Sequence, residues 1–414
     1  MENLKKNTIW NIIGTTINAM VSLLLMIAVT RINGINEAGI FTFSFSFATL
    51  LNIVGVYAGR IFQVTDNSKK TNKDYFINRI ITCVIMILSC IAYNCIKRYN
   101  IEKSLVMLSL TFLKMLEAFS DVLYGYLQKD DKLYIVGESL TLKGIVGTIA
   151  FVLIDLITKN YIVSIIIYSL VFLIFVIFYD LKYAKIKEVV TEKYSYKNVK
   201  KIFIEGLPTF LASFLTMYLI NSSKYAIDGV LSDDMQAVFG IIIMPATIMI
   251  LITQFIIHPF LNMVNNYIIN KDYKNIVNIT LKLSMFIVAC GVAVILICHF
   301  LGIYIIGWIY GLDLLSYRWM LDVILAGAVF YAITSIITTI LIAMRHTVIQ
   351  VVVYGIMSLF TFIASRILVN RAGIWGATAN YFITMLFGFI IFVIVYAVVL
   401  KKEEKKDKVK KLKA

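Results

Sequence analysis

Lys114, Glu117 and Asp121 follow one another at spacings of three and four residues in the stretch FLKMLEAFSDVLYGYLQ (112–128), which is otherwise mostly apolar. On a helix turning about 100° per residue they share an arc of roughly 80° with Tyr124 and Gln128, while Leu116, Phe119, Leu123 and Leu127 point elsewhere. An ammonium and two carboxylates on one stripe can ion-pair and hydrogen-bond with a polar cargo. Such a stripe cannot face lipid, where each charge costs about 3 kcal/mol or more at mid-membrane. Either Lys114 and Glu117 form a buried clasp, or the stripe lines a hydrated cavity. Asp121 exceeds what Lys114 alone can neutralise, and ionisable groups within spans usually mark a pathway, so the cavity is the expectation.

Further candidates lie nearby. Glu138, Ser139 and Lys143 follow in the next apolar run. Glu138 and Lys143 are five residues apart and do not share a helix face. Lys143 is therefore expected to complete the cavity from the neighbouring helix. Glu205 precedes Gly206 and Pro208. It reads equally as a carboxylate favoured by a helix-start dipole or as part of a helix built to bend. Asp155, Asp228 and Asp322 fall near span ends and read as interfacial. The five cysteines sit in or beside apolar runs, and with the scattered His258, His299 and His346 they make no metal or redox spacing. No Gly-rich loop with Gly-Lys-Ser/Thr occurs, so an ATPase site is not expected.

The elements that must position these residues are membrane-spanning helices. The 414 residues are 60% hydrophobic with a mean hydropathy of +0.86, above the apolar share of a soluble domain. Continuous apolar runs of spanning length favour helices over a barrel, whose strands alternate. Twelve spans are expected, near 8–30, 37–59, 76–96, 104–127, 135–157, 161–181, 202–226, 235–257, 277–300, 319–344, 347–369 and 375–400. The first lacks a small-residue cleavage site and reads as a retained helix. With the N-terminus inside, 28 of the 39 Lys and Arg residues fall in inner segments and nine in outer ones, leaving Lys114 and Lys143 within spans. This asymmetry places both termini in the cytoplasm. It also accounts for the net charge of +15 without nucleic acid.

The polar insert at 182–201 divides the spans six and six. The expected organisation is a bundle over 1–190, a second over 191–400 and a basic cytoplasmic tail over 401–414 that can touch anionic lipid. The halves echo each other weakly. Each opens with a helix bearing an early Gly (Gly14, Gly206) and a late cation (Arg31, Lys224). Pseudo-symmetric halves are a common plan for alternating-access transporters.

Three stretches carry a resemblance. KMLEAFSDVLYGYLQKDDK followed by SLTLKGIVGTIAF resembles the fourth-to-fifth-helix region of bacterial polysaccharide flippases of the O-antigen type, in the multidrug-and-toxin-extrusion-like superfamily. The matching residues are Lys114, Glu117, Asp121, Gly125, Gln128, Ser139, Lys143 and Gly144. The family often has Arg where this chain has Lys114 and Lys143, which forgoes the bidentate fork. GRIFQVTDNSKKTNKDYFINR resembles the second cytoplasmic loop, with Arg60, Gln63, Asp66, Tyr75 and Arg79. NRAGIWGATAN (370–380) resembles the opening of the last helix.

The resemblance implies an all-α integral membrane fold of two pseudo-symmetric six-helix bundles around a central cavity. It also implies a flippase carrying an undecaprenyl-diphosphate-linked oligosaccharide across the bacterial plasma membrane for capsule or O-antigen-type polysaccharide. Arg31, Lys114, Lys143 and Lys224 are the candidate cations, with Glu117, Asp121 and Gln128 completing the substrate set. Glu117, Asp121 and Glu205 are candidates for a coupling cation, H+ or Na+; no other cofactor is expected. Partners would be the lipid-linked oligosaccharide, membrane lipid and other polysaccharide-assembly membrane proteins. A multidrug exporter of the same fold is the nearest alternative, although a lipophilic cation favours a net negative cavity. A membrane polymerase, ligase or glycosyltransferase would need a larger extramembrane segment than any loop here provides.

Overall fold

Every regular element in the computed structural model, which describes residues 2–66, 68, 70–257 and 260–413, is a helix. His258 and Lys69 lie outside the described residues. The chain begins with α1 (Glu2–Ile32), α2 (Ile35–Val56), α3 (Gly59–Thr65), α4 (Asn72–Lys97), α5 (Ile101–Lys129), α6 (Leu133–Thr158) and α7 (Tyr161–Phe175). A π-helical turn, Val176–Asp180, leads into α8 (Leu181–Tyr183), followed by α9 (Ile186–Thr191) and α10 (Tyr196–Ile227). The later elements are α11 (Asp233–Ile242), α12 (Met244–Ile257), α13 (Leu261–Ile269) and α14 (Tyr273–Ile297). A second π-helical turn, Cys298–Gly302, joins α14 to α15 (Ile303–Tyr310), and α16 (Arg318–Ala343) and α17 (Thr347–Lys413) complete the chain.

Among the described residues, ten helical segments are long and apolar enough to cross a membrane. α5 is not one of them, because its apolar run carries three charges, Lys114, Glu117 and Asp121. α17 is two spans joined at Gly373, where φ is 59° and ψ −134°, a conformation open to glycine and costly for other residues. Counting α5 and both halves of α17, the described chain holds the twelve expected helices, and it is a multi-pass membrane protein. Two details differ from the expected spans. The second span breaks at Tyr57 before resuming as α3, and the ninth continues through its π turn to Tyr310.

The helices form two compact units, Met1–Met217 and Tyr218–Ala414. The division falls inside α10, beyond the polar insert. The insert is docked on the first unit. Asp74, wholly buried, closes a capping box with Thr71 and also accepts from Ser195 N (2.9 Å) and Asn198 Nδ2 (2.8 Å). Lys73 donates to Val190 O at 2.6 Å. Beneath these bonds Ala184, Val189 and Ile202 are buried with Tyr75, Val122, Leu123 and Tyr126. A stretch that is polar in composition thus joins the first unit through its few apolar residues.

In this unit α1 packs on α6, α2 on α5, and α4 on both α2 and α5. The α1–α6 crossing requires glycine on both sides. A Cβ on Gly14 would lie 2.4 Å from Gly137 O, and one on Gly137 only 2.1 Å from Trp10 O. Small residues at such crossings let backbones approach and gain dispersion contact where lipid supplies no hydrophobic drive. In the second unit α16 packs on α17, α14 and α12. The tail is helical to Lys413, and Asp407 accepts from Lys271 Nζ (2.7 Å) and Tyr273 OH (2.5 Å).

Candidate functional site

α5 starts at a side-chain cap, Asn100 Oδ1 accepting from Lys103 N at 2.9 Å, and runs 29 residues without a break. That uninterrupted run puts the charged stripe in register. Lys114, Glu117, Asp121 and Gln128 are all part-exposed, whereas Leu116, Leu123 and Leu127 are buried in the first unit. Only Tyr124 of the stripe is buried. α5 therefore buries its leucines in the first unit and leaves its charges part-open, with Phe112 and Phe119 outward on a separate apolar face.

Each charge on the stripe has a partner. Lys114 Nζ reaches both Glu117 oxygens, at 2.9 and 2.8 Å, with 14% and 25% of the two side chains exposed. The pair runs along one helix, so it clasps nothing. Lys114 Nζ also sits 4.8 Å above the Phe45 ring of α2, and Asn52 Nδ2 donates to Lys114 O at 2.7 Å. Asp121 accepts from Arg79 Nη2 at 3.0 Å. Sequence reasoning placed Arg79 in the cytoplasmic loop. It lies instead on α4, 4% exposed, with a second bond to Gly55 O (3.3 Å). Unlike Lys114–Glu117, this ion pair joins two helices, and the signal for it was the acid left without a counterion on α5.

Lys143 does not border open space. Its side chain is 1% exposed and bonded to the wholly buried Asp180, a residue that sequence reasoning missed. It also reaches Ser120 Oγ and Tyr124 OH at 3.0 Å each, and lies 4.2 Å from the Phe172 ring centre. Ser139 Oγ donates to the other Asp180 oxygen at 2.6 Å. The π turn carries Asp180 inward. A buried pair satisfied on this many sides holds helices together, and losing one partner would strand a buried charge.

A third cluster surrounds the loop after α3. Lys70 bonds Asp66 (2.9 Å) and Glu205, and Tyr75 OH donates to Asp66. Burial alone would raise the Asp66 carboxyl, but hydrogen bonds from Lys70, Tyr75 and Ser68 outweigh it and hold the acid well below its usual range. Burial would lower Lys70, yet its bonds to Asp66 and Glu205 raise it. Nearby, Gln63, 1% exposed, donates to Val122 O (3.2 Å) and fills the space a Cβ on Gly125 would need. That contact accounts for Gln63 and Gly125 occurring together.

The remaining candidates stand apart. Arg31 is exposed in the last turn of α1. Gln128 is part-exposed near the end of α5. Lys224 belongs to the second unit, half-buried near the end of α10. The structure thus brings Lys114, Glu117 and Asp121 together on one stripe and gives Lys143 and Glu205 other partners. Among the described residues no three His, Cys, Asp or Glu side chains are placed to hold a metal ion.

No protein-family model and no curated protein matches the chain. Solved structures do. The lipid II flippase MurJ in an inward closed conformation aligns with 94% of this chain and 87% of its own, with a TM-score of 0.68 and 15% identity. An inward-facing multidrug resistance MATE family transporter of the MOP superfamily aligns over 95% and 99%, with a TM-score of 0.63 and 15% identity. The Vibrio cholerae MATE transporter VcmN in its bent form aligns over 97% of both chains, with a TM-score of 0.61 and 9% identity. This likeness is one of fold, and the fold is one that transporters and a lipid flippase use.

Proposed function

We propose that this chain is a flippase that moves an undecaprenyl-diphosphate-linked oligosaccharide repeat unit across the bacterial plasma membrane by alternating access, for surface polysaccharide. The observation that carries this reading is the orientation of α5, with its leucines in the core and its charges part-open. In a bilayer, an open charged face is tolerable only against water or a polar cargo. Lys114 would meet the diphosphate, and Glu117 would meet sugar hydroxyls or a coupling cation. Arg31 is a further cation for the same anionic cargo, and Gln128 a further hydrogen-bonding group. The likeness to a lipid II flippase supports a lipid-linked cargo. The shared fold of multidrug transporters supports a second reading, an exporter of lipophilic cations.

The test uses Lys114→Ala, Glu117→Ala and the double variant, each measured for membrane abundance and for translocation of a labelled lipid-linked oligosaccharide in proteoliposomes. A part-exposed pair along one helix contributes only about 0.2–0.5 kcal/mol, so abundance should hold in all three. Translocation should fall at least tenfold. Lys114→Arg should restore it, since a positive charge suffices against a diphosphate. Unimpaired translocation by Lys114→Ala, or export of lipophilic cations with no lipid-linked transport, would reject the flippase reading.

A further inference from the structure

On the α5 face away from the charged stripe lies a groove of about 490 Å³, with α4 and α7 forming its other walls. Its lining is apolar, with Ile80, Val84 and Leu88 from α4, Phe119 from α5, and Ile177 and Leu181 from the π turn and α8. Ile177 and Leu181 also line a second pocket of about 510 Å³, which contains Lys182, Lys185 and Lys187. The two hollows adjoin at Ile177 and Leu181, one apolar and the other lined by three lysines and Glu188. Lys185 turns to Glu188 at 3.2 Å, while Lys182 and Lys187 have no acidic partner among the described residues. The π turn shapes the junction. It directs Asp180 inward to Lys143 and leaves Ile177 46% exposed on the groove wall.

We propose that the groove and the lysine pocket together bind an anionic phospholipid, with its acyl chains in the groove and its phosphate against Lys182 and Lys187. This apolar surface ends in Lys182 and Lys187 where the chain leaves its sixth span. The basic asymmetry puts that end at the cytoplasmic leaflet, where anionic headgroups attract juxtamembrane lysines. The site is independent of the stripe and of the cargo proposed for it, since it uses the opposite face of α5.

The test is native mass spectrometry of the purified full chain after delipidation and titration with phosphatidylglycerol or phosphatidylcholine. Phosphatidylglycerol should be retained preferentially, and less so at high ionic strength. Lys182→Gln with Lys187→Gln should cut that retention roughly twenty-five-fold, at about fivefold per lysine. Val84→Trp, which fills the groove, should cut it as well. Neutralising two exposed lysines at the opposite ends of α4 and α6, Lys97→Gln with Lys159→Gln, should leave it unchanged. Equal retention of the two lipids, full retention by the Lys182/Lys187 variant, or displacement by glycerol 3-phosphate alone would overturn the site. Tighter binding of a polyisoprenyl phosphate than of phosphatidylglycerol would overturn the choice of occupant.

Discussion

Arg79 and Asp121 show how a charge on the stripe can also join two helices. Asp121 shares the stripe with Lys114 and Glu117, but its partner is a buried guanidinium on another helix. Asp121→Ala strands that guanidinium and should cost roughly 3–5 kcal/mol, seen as loss of membrane abundance and a lower melting temperature in detergent. Arg79→Met with Asp121→Leu should recover most of the loss, because two apolar groups leave nothing unpaired. A double variant as unstable as the single one would show that the pair is not what holds α4 to α5. Asp66 makes the corresponding case for pH. Its folded pKa is depressed below an unfolded value of about 3.9, so its contribution is fully present above that value and is lost as pH falls below it. Melting temperatures of the wild type and Asp66→Asn should differ at pH 7 and converge below about pH 4. A gap that widens on acidification would contradict the assigned direction.

Elements meet where side chains are small or hydrogen bonds bridge them. The α1–α6 crossing has no room for a Cβ at Gly137, where Trp10 O would be 2.1 Å away. Gly137→Val should therefore force the helices apart, at a cost of several kcal/mol read as lost abundance and monodispersity. Leu153→Ala, an exposed position on the same helix, should be near neutral. The break in the second span is held differently. Tyr57 sits at φ 54° and ψ −106°, a conformation that costs a non-glycine residue energy. Its ring stacks on Phe210 at 4.8 Å, its hydroxyl donates to Phe203 O at 2.8 Å, and Gly206 of α10 presses on Ala58. Glu205 joins Lys70 beside this contact. A broken helix is thus locked to the start of a helix that carries Pro208. Because α10 begins at Tyr196, Glu205 lies more than two turns inside it and is not a helix-start carboxylate; it makes an ion pair to the loop after α3 beside a proline-bearing stretch.

For the whole molecule, orientation is the property to measure. We expect both termini in the cytoplasm, from the 28-to-nine distribution of basic residues. In a background with the native cysteines replaced by serine, Lys193→Cys should be labelled only from the cytoplasmic side and Asp313→Cys only from outside. Both positions are exposed. Labelling of Lys193→Cys from outside would invert the topology and move the lysine pocket to the other leaflet.

Span number, helical class and the phase of the charged stripe were all legible in the sequence. Each depends on composition within one window and on a 3.6-residue turn, and neither needs a partner. α5 was legible for the same reason, since its charges broke an apolar run at helical spacing. Partnership was not legible. Lys143 finds Asp180 37 residues away, Asp121 finds Arg79 42 away, and Lys70 finds Glu205 135 away. Those pairings follow from which helices pack together, which depends on glycine crossings, π turns and the docking of a polar insert by its few apolar side chains. Only the tertiary structure could therefore separate the part-open pair Lys114–Glu117 from the closed pair Lys143–Asp180. The residue types are alike, and what differs is the access of water that packing leaves to each.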